Sequence, residues 1–264
     1  MLEFELFWKA FIASALVGTI LPLVGTFALL KRSTFLGAGM AHTAFAGVAF
    51  GILLGLNPII TALITTAIAS TFIWHWTRKG RISHDTGIGI FFSVSMALAV
   101  LFFSLSKSQT DALGFLFGNV LSVTGSDLNI LVIISLVVIG FIVLFWKELF
   151  FITLSEELAL ASGIPVEPIS FAMLLAMSFA IVVSLRAVGT LLVFGLLVIP
   201  SAASYQLTSR LASMVRLAVA IGVVSAIGGL TISIFFNLPA GPVAVLLSFL
   251  ALLIALAVPK REVE

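Results

Sequence analysis

Long apolar runs recur along the whole chain, broken by charged residues, glycines and prolines. A helix needs about 20 mainly apolar residues to cross the hydrocarbon core of a bilayer, and about nine runs approach or exceed that length. The predicted spans are 6–30, 35–55, 58–77, 86–106, 128–149, 168–186, 189–206, 215–236 and 240–259. A bundle of helices is favoured over a barrel, because the strands of a barrel would alternate polar and apolar residues. The pattern predicts an all-α, polytopic membrane helix bundle forming one domain over residues 1–264, with eight spans if the first run does not cross fully.

The segment 111–127, between the fourth and fifth spans, is apolar but too short to cross the membrane. It contains Gly114 and Gly118 and has an aspartate at each end. We predict a short re-entrant or interfacial helix on the outer side. Such a helix marks the mouth of a path through the membrane.

Composition narrows the chemistry that is open to the chain. Of 264 residues, 61% are hydrophobic and only 9% are charged, so most of the surface faces lipid. The lack of cysteine excludes disulfides, thiolate metal ligands and thiol nucleophiles. A net charge of +2 does not indicate nucleic-acid binding, because the basic residues stand singly or in short clusters beside apolar runs.

Lysines and arginines predict the side of the membrane on which each loop lies, because cytoplasmic loops carry the excess of basic residues. Most of the 13 basic residues fall in alternate loops or at the adjoining helix ends: Lys31, Arg32, Arg78, Lys79, Arg81, Lys147, Arg210, Arg216, Lys260 and Arg261. Lys9, Lys107 and Arg186 remain on the other side. The N-terminus is therefore predicted outside and the C-terminus inside, although an even number of spans would place the N-terminus in the cytoplasm.

One imidazole, that of His42, lies well inside a predicted span, roughly a third to half way across the second one. Beside it runs a stripe of small residues, Gly39, Thr43, Gly47 and Gly51, that predicts close helix packing. A neutral imidazole nitrogen suits zinc and other first-row divalent ions. Two interpretations of His42 stay open: an ion ligand, or a structural hydrogen bond to a neighbouring helix.

Each aspartate of the outer segment also has a local interpretation. Asp111 can attract a cation or flank the short helix, and the local sequence favours the helix-end role. Asp127, in Gly-Ser-Asp-Leu, has the sequence context of the N-cap of the fifth span.

The cytoplasmic loop near 153–166 predicts a short amphipathic helix that docks into a groove of a soluble partner. Ser155 is its predicted N-cap, Glu156 and Glu157 form an acidic first turn, Leu158 is apolar and Gly163 ends the helix. A position flat on the membrane is less favoured, because acidic residues suit anionic lipid poorly.

Two further signals concern the last spans and the source of energy. Pro200 is expected to break or kink the seventh span, and 237–242 is expected to form a tight outer turn. The chain has no Gly-x-x-x-x-Gly-Lys-Ser/Thr motif, so any ATP-driven motor is another subunit.

Taken in order, these segments resemble the permeases of bacterial ABC importers for zinc, manganese and iron. The shared blocks run from about residue 20 to the end: His42 after Lys31-Arg32, Asp111 with Leu116-Phe117-Gly118, Asp127-Leu128, the Glu156 loop, Val188-Gly189 with Leu196–Ser204, and Pro239–Pro242. No block is specific alone, but their shared order and sidedness make chance a poor explanation.

The resemblance implies a multi-pass permease of a bacterial or archaeal cell membrane, acting as a homodimer with two cytoplasmic ATP-binding subunits and an extracytoplasmic metal-binding protein. No permanent cofactor is implied, only a transported divalent ion. His42 and Asp111 would be its ligands, and Leu116 and Phe117 would form the outer gate. The segment with Ser155, Glu156, Glu157, Leu158 and Gly163 would couple the permease to the ATPase.

The chain departs from these relatives at one position. They often carry an aspartate four residues before the histidine, where this chain has Ala38. Met40 cannot replace it, because residues two apart on a helix point to nearly opposite faces. We therefore expect His42 from each protomer, with water or Asp111, to bind the ion. Loss of a hard carboxylate favours zinc over manganese, while manganese or iron remains possible.

Three alternatives remain. An ABC permease for a metal chelate or corrinoid would share the bundle but would need a wide, polar or aromatic path. An ion-coupled secondary transporter would normally need carboxylates in the middle of a span, and none is found there. An intramembrane enzyme would need catalytic partners for His42, which the sequence does not supply at a catalytic spacing.

Overall fold

The computed structural model describes residues 2–80, 82–106 and 110–258, apart from a few side chains within them. Twelve α-helices make up this part of the chain: α1 (Leu2–Leu30), α2 (Phe35–Leu54), α3 (Pro58–Arg78), α4 (His84–Leu105), α5 (Thr110–Phe117), α6 (Gly125–Leu144), α7 (Trp146–Leu154), α8 (Glu156–Ala161), α9 (Val166–Val188), α10 (Thr190–Leu207), α11 (Leu211–Phe236) and α12 (Ala240–Ala257). A 3-10 turn at Val120–Ser122 separates α5 from α6. The predicted polytopic helix bundle is confirmed.

Local sequence signals set several of the helix ends. The Asn57 side chain accepts hydrogen bonds from the first N–H groups of α3, and Ser83 does the same for α4. Gly55, just after α2, and Asn237, just after α11, adopt the left-handed conformation that commonly ends a helix.

Eight helices are long and apolar enough to span a membrane, and α10 is a shorter apolar helix. The packing of its neighbours indicates that α10 runs from one side of the bundle to the other. It begins beside α5, where the Thr190 hydroxyl donates to the Phe115 carbonyl. It leads into α11, which runs antiparallel to α1 because Gly18 faces Ala226 while Pro22 faces Gly222. With α10 included, nine of the described helices run through the bundle from one side to the other.

One predicted span has the wrong bounds, and one of the two effects expected of Pro200 does not occur. The fifth span does not run over 128–149, since α6 ends at Leu144 and the separate helix α7 begins at Trp146 after a non-helical Phe145. Pro200 does not break its helix, since α10 continues through it to Leu207. The neighbouring Ser201 hydroxyl bonds the Leu197 carbonyl and reaches the Pro22 carbonyl of α1, which ties the helix at this point to the bundle.

Small residues bring the central helices into backbone contact. In α2, a methyl group added at Gly47 would lie 2.0 Å from the Thr65 hydroxyl of α3. A methyl group at Gly222 of α11 would lie 2.4 Å from the Gly18 carbonyl oxygen of α1. Because these neighbours include rigid backbone, the helices would have to separate to admit a side chain. The predicted small-residue stripe is a packing surface.

We expect Gly222→Leu to lower the midpoint of thermal unfolding in detergent by about 5–10 °C, because overpacking a buried contact costs a few kcal/mol. Gly140→Leu is the matched control, since nothing lies within 4 Å of a methyl group placed on Gly140 of α6. Equal melting temperatures for the two variants would contradict the α1–α11 contact.

Candidate functional site

His42 lies in α2, about 10 Å along the helix axis from its N-terminal end. Its Nδ1 is 2.9 Å from the Ala38 carbonyl oxygen, one turn earlier in the same helix. A carbonyl oxygen only accepts, so the Nδ1 N–H donates in this bond, and in a neutral imidazole Nε2 then keeps the lone pair. The ring packs on Phe92 of α4, with 4.3 Å between centroids. This arrangement orients Nε2 as a potential metal ligand.

The hydrogen bond to Ala38 bears on whether His42 has a structural role or is an ion ligand. A purely structural histidine would link two helices, whereas the Ala38 bond stays within α2. No partner for Nε2 is found among the residues that the structure describes, and the side chain is only partly buried. The hydrogen bond to a neighbouring helix that the structural interpretation expects is thus not found among the described residues.

Met40 lies on another face of α2, as its position in the sequence predicts. Its side chain is fully buried, and its sulfur accepts a hydrogen bond from Ser70 of α3 at 3.6 Å. The Ser70 hydroxyl is also 2.9 Å from that of Ser178 in α9. Met40 thus belongs to the packing between α2, α3 and α9 and does not complete a site with His42.

A single protomer offers few ligands around His42. Within the described part of the chain, no group of three or more His, Asp, Glu or Cys side chains could hold a metal ion. Ala38 leaves the neighbouring position on α2 without a carboxylate. A multidentate site therefore needs water, a second protomer or side chains outside the described set.

The predicted outer helix is α5, which includes Asp111, Leu116 and Phe117. The Asp111 side chain lies outside the described residues. Leu116 is partly buried against the core, and Phe117 is about half exposed. Asp111, Leu116 and Phe117 are thus on one short helix, which also contacts α2, the helix that carries His42.

Asp127 is not the N-cap of α6. Thr124 is the N-cap, and Asp127 is the third helical residue of a capping box in which its carboxylate accepts from the Thr124 backbone N–H at 2.9 Å. The same carboxylate oxygen lies 2.9 Å from a guanidinium nitrogen of Arg186 in α9. The Asp127 side chain is nearly buried, so the ion pair compensates a charge that would otherwise be costly.

The predicted cytoplasmic helix is present as α8, and its predicted boundaries are confirmed. Ser155 caps it by accepting from the Leu158 backbone N–H at 3.3 Å, and Gly163 has φ 77° just beyond its end. Glu156, Glu157 and Leu158 are exposed, with 62% of the Leu158 surface accessible. An exposed leucine beside two carboxylates makes α8 suitable for docking onto another protein.

Ion pairs link α8 and the ends of the long helices on the side of the bundle that the charge pattern predicts to be cytoplasmic. Lys31, just after α1, lies 3.1 Å from Glu156 and donates to the Ser170 hydroxyl of α9 at 2.9 Å. Arg78, at the end of α3, pairs with Glu167 of α9. A cavity of about 460 Å³ opens between these pairs and is lined deeper by Met173 and Met177. It lies beside α8 and is not lined by His42.

Sequence reasoning missed the partners of Lys31, Arg78 and Arg186, because each partner lies far along the chain. Arg186 nevertheless left a signal, since it was one of the few basic residues on the outer side. A lone arginine there needs a carboxylate partner, and Asp127 starts a span on the same side.

Comparison with known proteins places the chain in a family. Residues 3–259 match the model of the ABC 3 transport family. The manganese transport system membrane protein MntC of Listeria monocytogenes is 36% identical over 262 residues, which cover 99% of this chain and 94% of that protein. The high-affinity zinc uptake system membrane protein ZnuB of Haemophilus influenzae is 31% identical, covering 98% of this chain and 99% of that protein.

A solved structure agrees with these relatives. The structure of PsaBC from Streptococcus pneumoniae in complex with Fab matches with a TM-score of 0.88 and 30% identity, covering 97% of this chain and 92% of the matched chain. Agreement of sequence and fold over nearly the full length leaves one assignment: the chain belongs to the ABC 3 transport family.

Proposed function

We propose that this chain imports divalent metal ions, with zinc preferred, as the membrane-spanning half of an ATP-driven importer. As an ABC 3 family member it is a multi-pass permease of the bacterial cell membrane, and ATP hydrolysis belongs to a separate subunit. Relatives that match along the whole chain are named for manganese transport and for zinc uptake. Those names support a divalent metal ion as cargo.

The observation that carries the proposal is the state of His42. Its Nδ1–H is committed to the Ala38 carbonyl, so Nε2 can accept a metal ion inside the membrane. Imidazole nitrogen is a borderline ligand that suits zinc well, whereas manganese prefers carboxylate and water oxygen. With Ala38 in place of a carboxylate, the described side chains favour zinc.

A second copy of the chain would supply what one protomer lacks. His42 is only partly buried beside α4. In α4 itself, only 22% of the apolar stretch that could span the membrane is buried inside the protomer. A twofold dimer packed on this side would bring a second imidazole towards the first. Water or Asp111 would complete the coordination shell, and α5, with Leu116 and Phe117, would gate its outer approach.

The cytoplasmic end has the features of a coupling surface. α8 offers Leu158, Glu156 and Glu157 to an ATP-binding subunit, and the Lys31 contacts link α8 to α1 and α9. Closure of the ATPase pair would displace α8 and bias the permease between outward-open and inward-open states. An extracytoplasmic binding protein would deliver the ion to the outer side.

The test is uptake into proteoliposomes that hold this chain with its ATP-binding subunit and binding protein. We expect ATP-dependent zinc uptake that exceeds manganese uptake when both ions are present. The absence of ATP-dependent uptake of either ion by an intact complex would overturn the proposed function. Faster manganese uptake would overturn only the preference for zinc.

A further inference from the structure

Arg186 lies on the outer side, although most basic residues of the chain belong to the predicted cytoplasmic loops. Its contacts in the fold explain this exception. It lies in the last turn of α9 on the outer side, where it pairs with the nearly buried Asp127 at 2.9 Å. A charged group at this depth is costly unless it is paired. The pair fixes the outer end of α9 to the start of α6.

The same arginine contacts α5 in two ways. Its guanidinium carbon lies 5.7 Å from the centroid of the Phe115 ring, within the range of a cation–π contact. Its backbone carbonyl accepts the N–H of Asn119, two residues after the end of α5, at 3.0 Å. Phe115 is buried, so the contact anchors the inner face of the proposed gate helix.

The backbone at the end of α5 lies in close contact with the backbone beside Arg186. Gly118 has φ 72°, and a methyl group there would lie 2.1 Å from the Val188 carbonyl carbon. Gly189 has φ 92°, and a methyl group there would lie 2.4 Å from the Phe117 carbonyl carbon. The segment that carries Leu116 and Phe117 is therefore pressed directly against the junction of α9 and α10.

The opposite end of α9 lies at the coupling surface. Glu167 pairs with Arg78, and Ser170 accepts from Lys31, which also pairs with Glu156 of α8. α9 is one uninterrupted helix of 23 residues and spans about 34 Å. One rigid helix thus contacts both the coupling helix and the gate helix.

We propose that Arg186 is a positioning residue that fastens α5 to the end of α9, so that displacement of α8 moves the outer gate. The inference rests on the proposed function, because it takes α8 as the coupling helix and α5 as the gate. Without the Arg186 side chain, α9 would still move, but α5 would lose the side-chain contacts that make it follow.

The chain has no cysteine, which allows a direct test with Phe117→Cys as a single reporter on the half-exposed gate position. The complex with its ATP-binding subunit is placed in liposomes, and a membrane-impermeant maleimide labels the outer side with and without ATP and vanadate. We expect ATP and vanadate to change the labelling rate about fivefold or more with Arg186 present. With Arg186→Gln the change should be lost while ATP hydrolysis continues.

Further variants separate positioning from stability. Arg216→Gln is the matched control, because Arg216 is exposed and its guanidinium bonds within its own helix. Phe115→Leu retains the ion pair and removes the ring, and it should reduce the labelling change only in part; it also serves if Arg186→Gln does not assemble. An undiminished ATP-dependent change in Arg186→Gln would overturn the inference, and so would one in Phe115→Leu if Arg186→Gln does not assemble. No change with Arg186 present would overturn it as well. Uptake by the wild type, measured separately, decides the proposed function.

Discussion

Replacing His42 with alanine is expected to lower ATP-driven zinc uptake by roughly 10- to 100-fold, because the variant lacks the imidazole that can bind the ion inside the membrane. Assembly and thermal stability should change little. The ring makes its hydrogen bond within α2 and packs mainly on Phe92, so no contact between helices depends on a His42 hydrogen bond. Initial rates of zinc uptake per assembled complex measure the effect.

His75→Ala is the matched control for this experiment. His75 is exposed near the cytoplasmic end of α3, and its loss should leave the uptake rate unchanged. Wild-type uptake by His42→Ala would assign His42 a purely structural role. A parallel loss in both variants would point to a general effect of removing histidine.

Reversing the charge of Glu156 is expected to uncouple ATP hydrolysis from transport. In Glu156→Lys the α8 helix would carry a cation that repels Lys31, so α8 would no longer be held against α1 and α9. The Glu156 side chain is 59% exposed and the Lys31 side chain 24%, so water screens the pair in part; an exposed pair contributes only about 0–1 kcal/mol to stability, and the protein should still fold. We expect zinc transported per ATP hydrolysed to fall about fivefold or more.

The double variant Lys31→Glu/Glu156→Lys restores an opposite-charge pair and should recover part of the coupling. Arg32→Glu alters the neighbouring exposed cation and should leave the ratio near the wild-type value. If the double variant were as uncoupled as Glu156→Lys alone, the ion pair would not be the cause. A mechanism in which Glu156 contacts only the ATP-binding subunit would then be favoured.

Much of the helical framework could be predicted, because lipid imposes long apolar runs and local caps mark the ends. Ser155 and Gly163 bounded α8 correctly, since both act through their own backbone neighbourhood. The end of α6 was misplaced for the same reason: no glycine or proline marks Phe145, and the apolar pattern continues through it. The end of α6 coincides with tertiary packing and not with a helix-breaking residue in the local sequence.

The individual residues of the candidate site could be predicted from the sequence, but the contacts between them could not. The depth of His42 followed from its place in an apolar run, whereas its contact with Phe92 and the bond that leaves Nε2 available depend on how the helices pack. Likewise, Asp127 was recognised as part of a helix start. Its pairing with Arg186 joins distant parts of the chain, which no local pattern encodes.

X-ray absorption at the zinc edge, measured on the reconstituted, zinc-loaded permease complex, is the most direct test of whether the ion binds to His42. We expect imidazole nitrogen at about 2.0–2.1 Å from zinc in the wild type and in His75→Ala. In His42→Ala this nitrogen scattering should be lost and replaced by oxygen. An unchanged nitrogen shell in His42→Ala would contradict a path through His42.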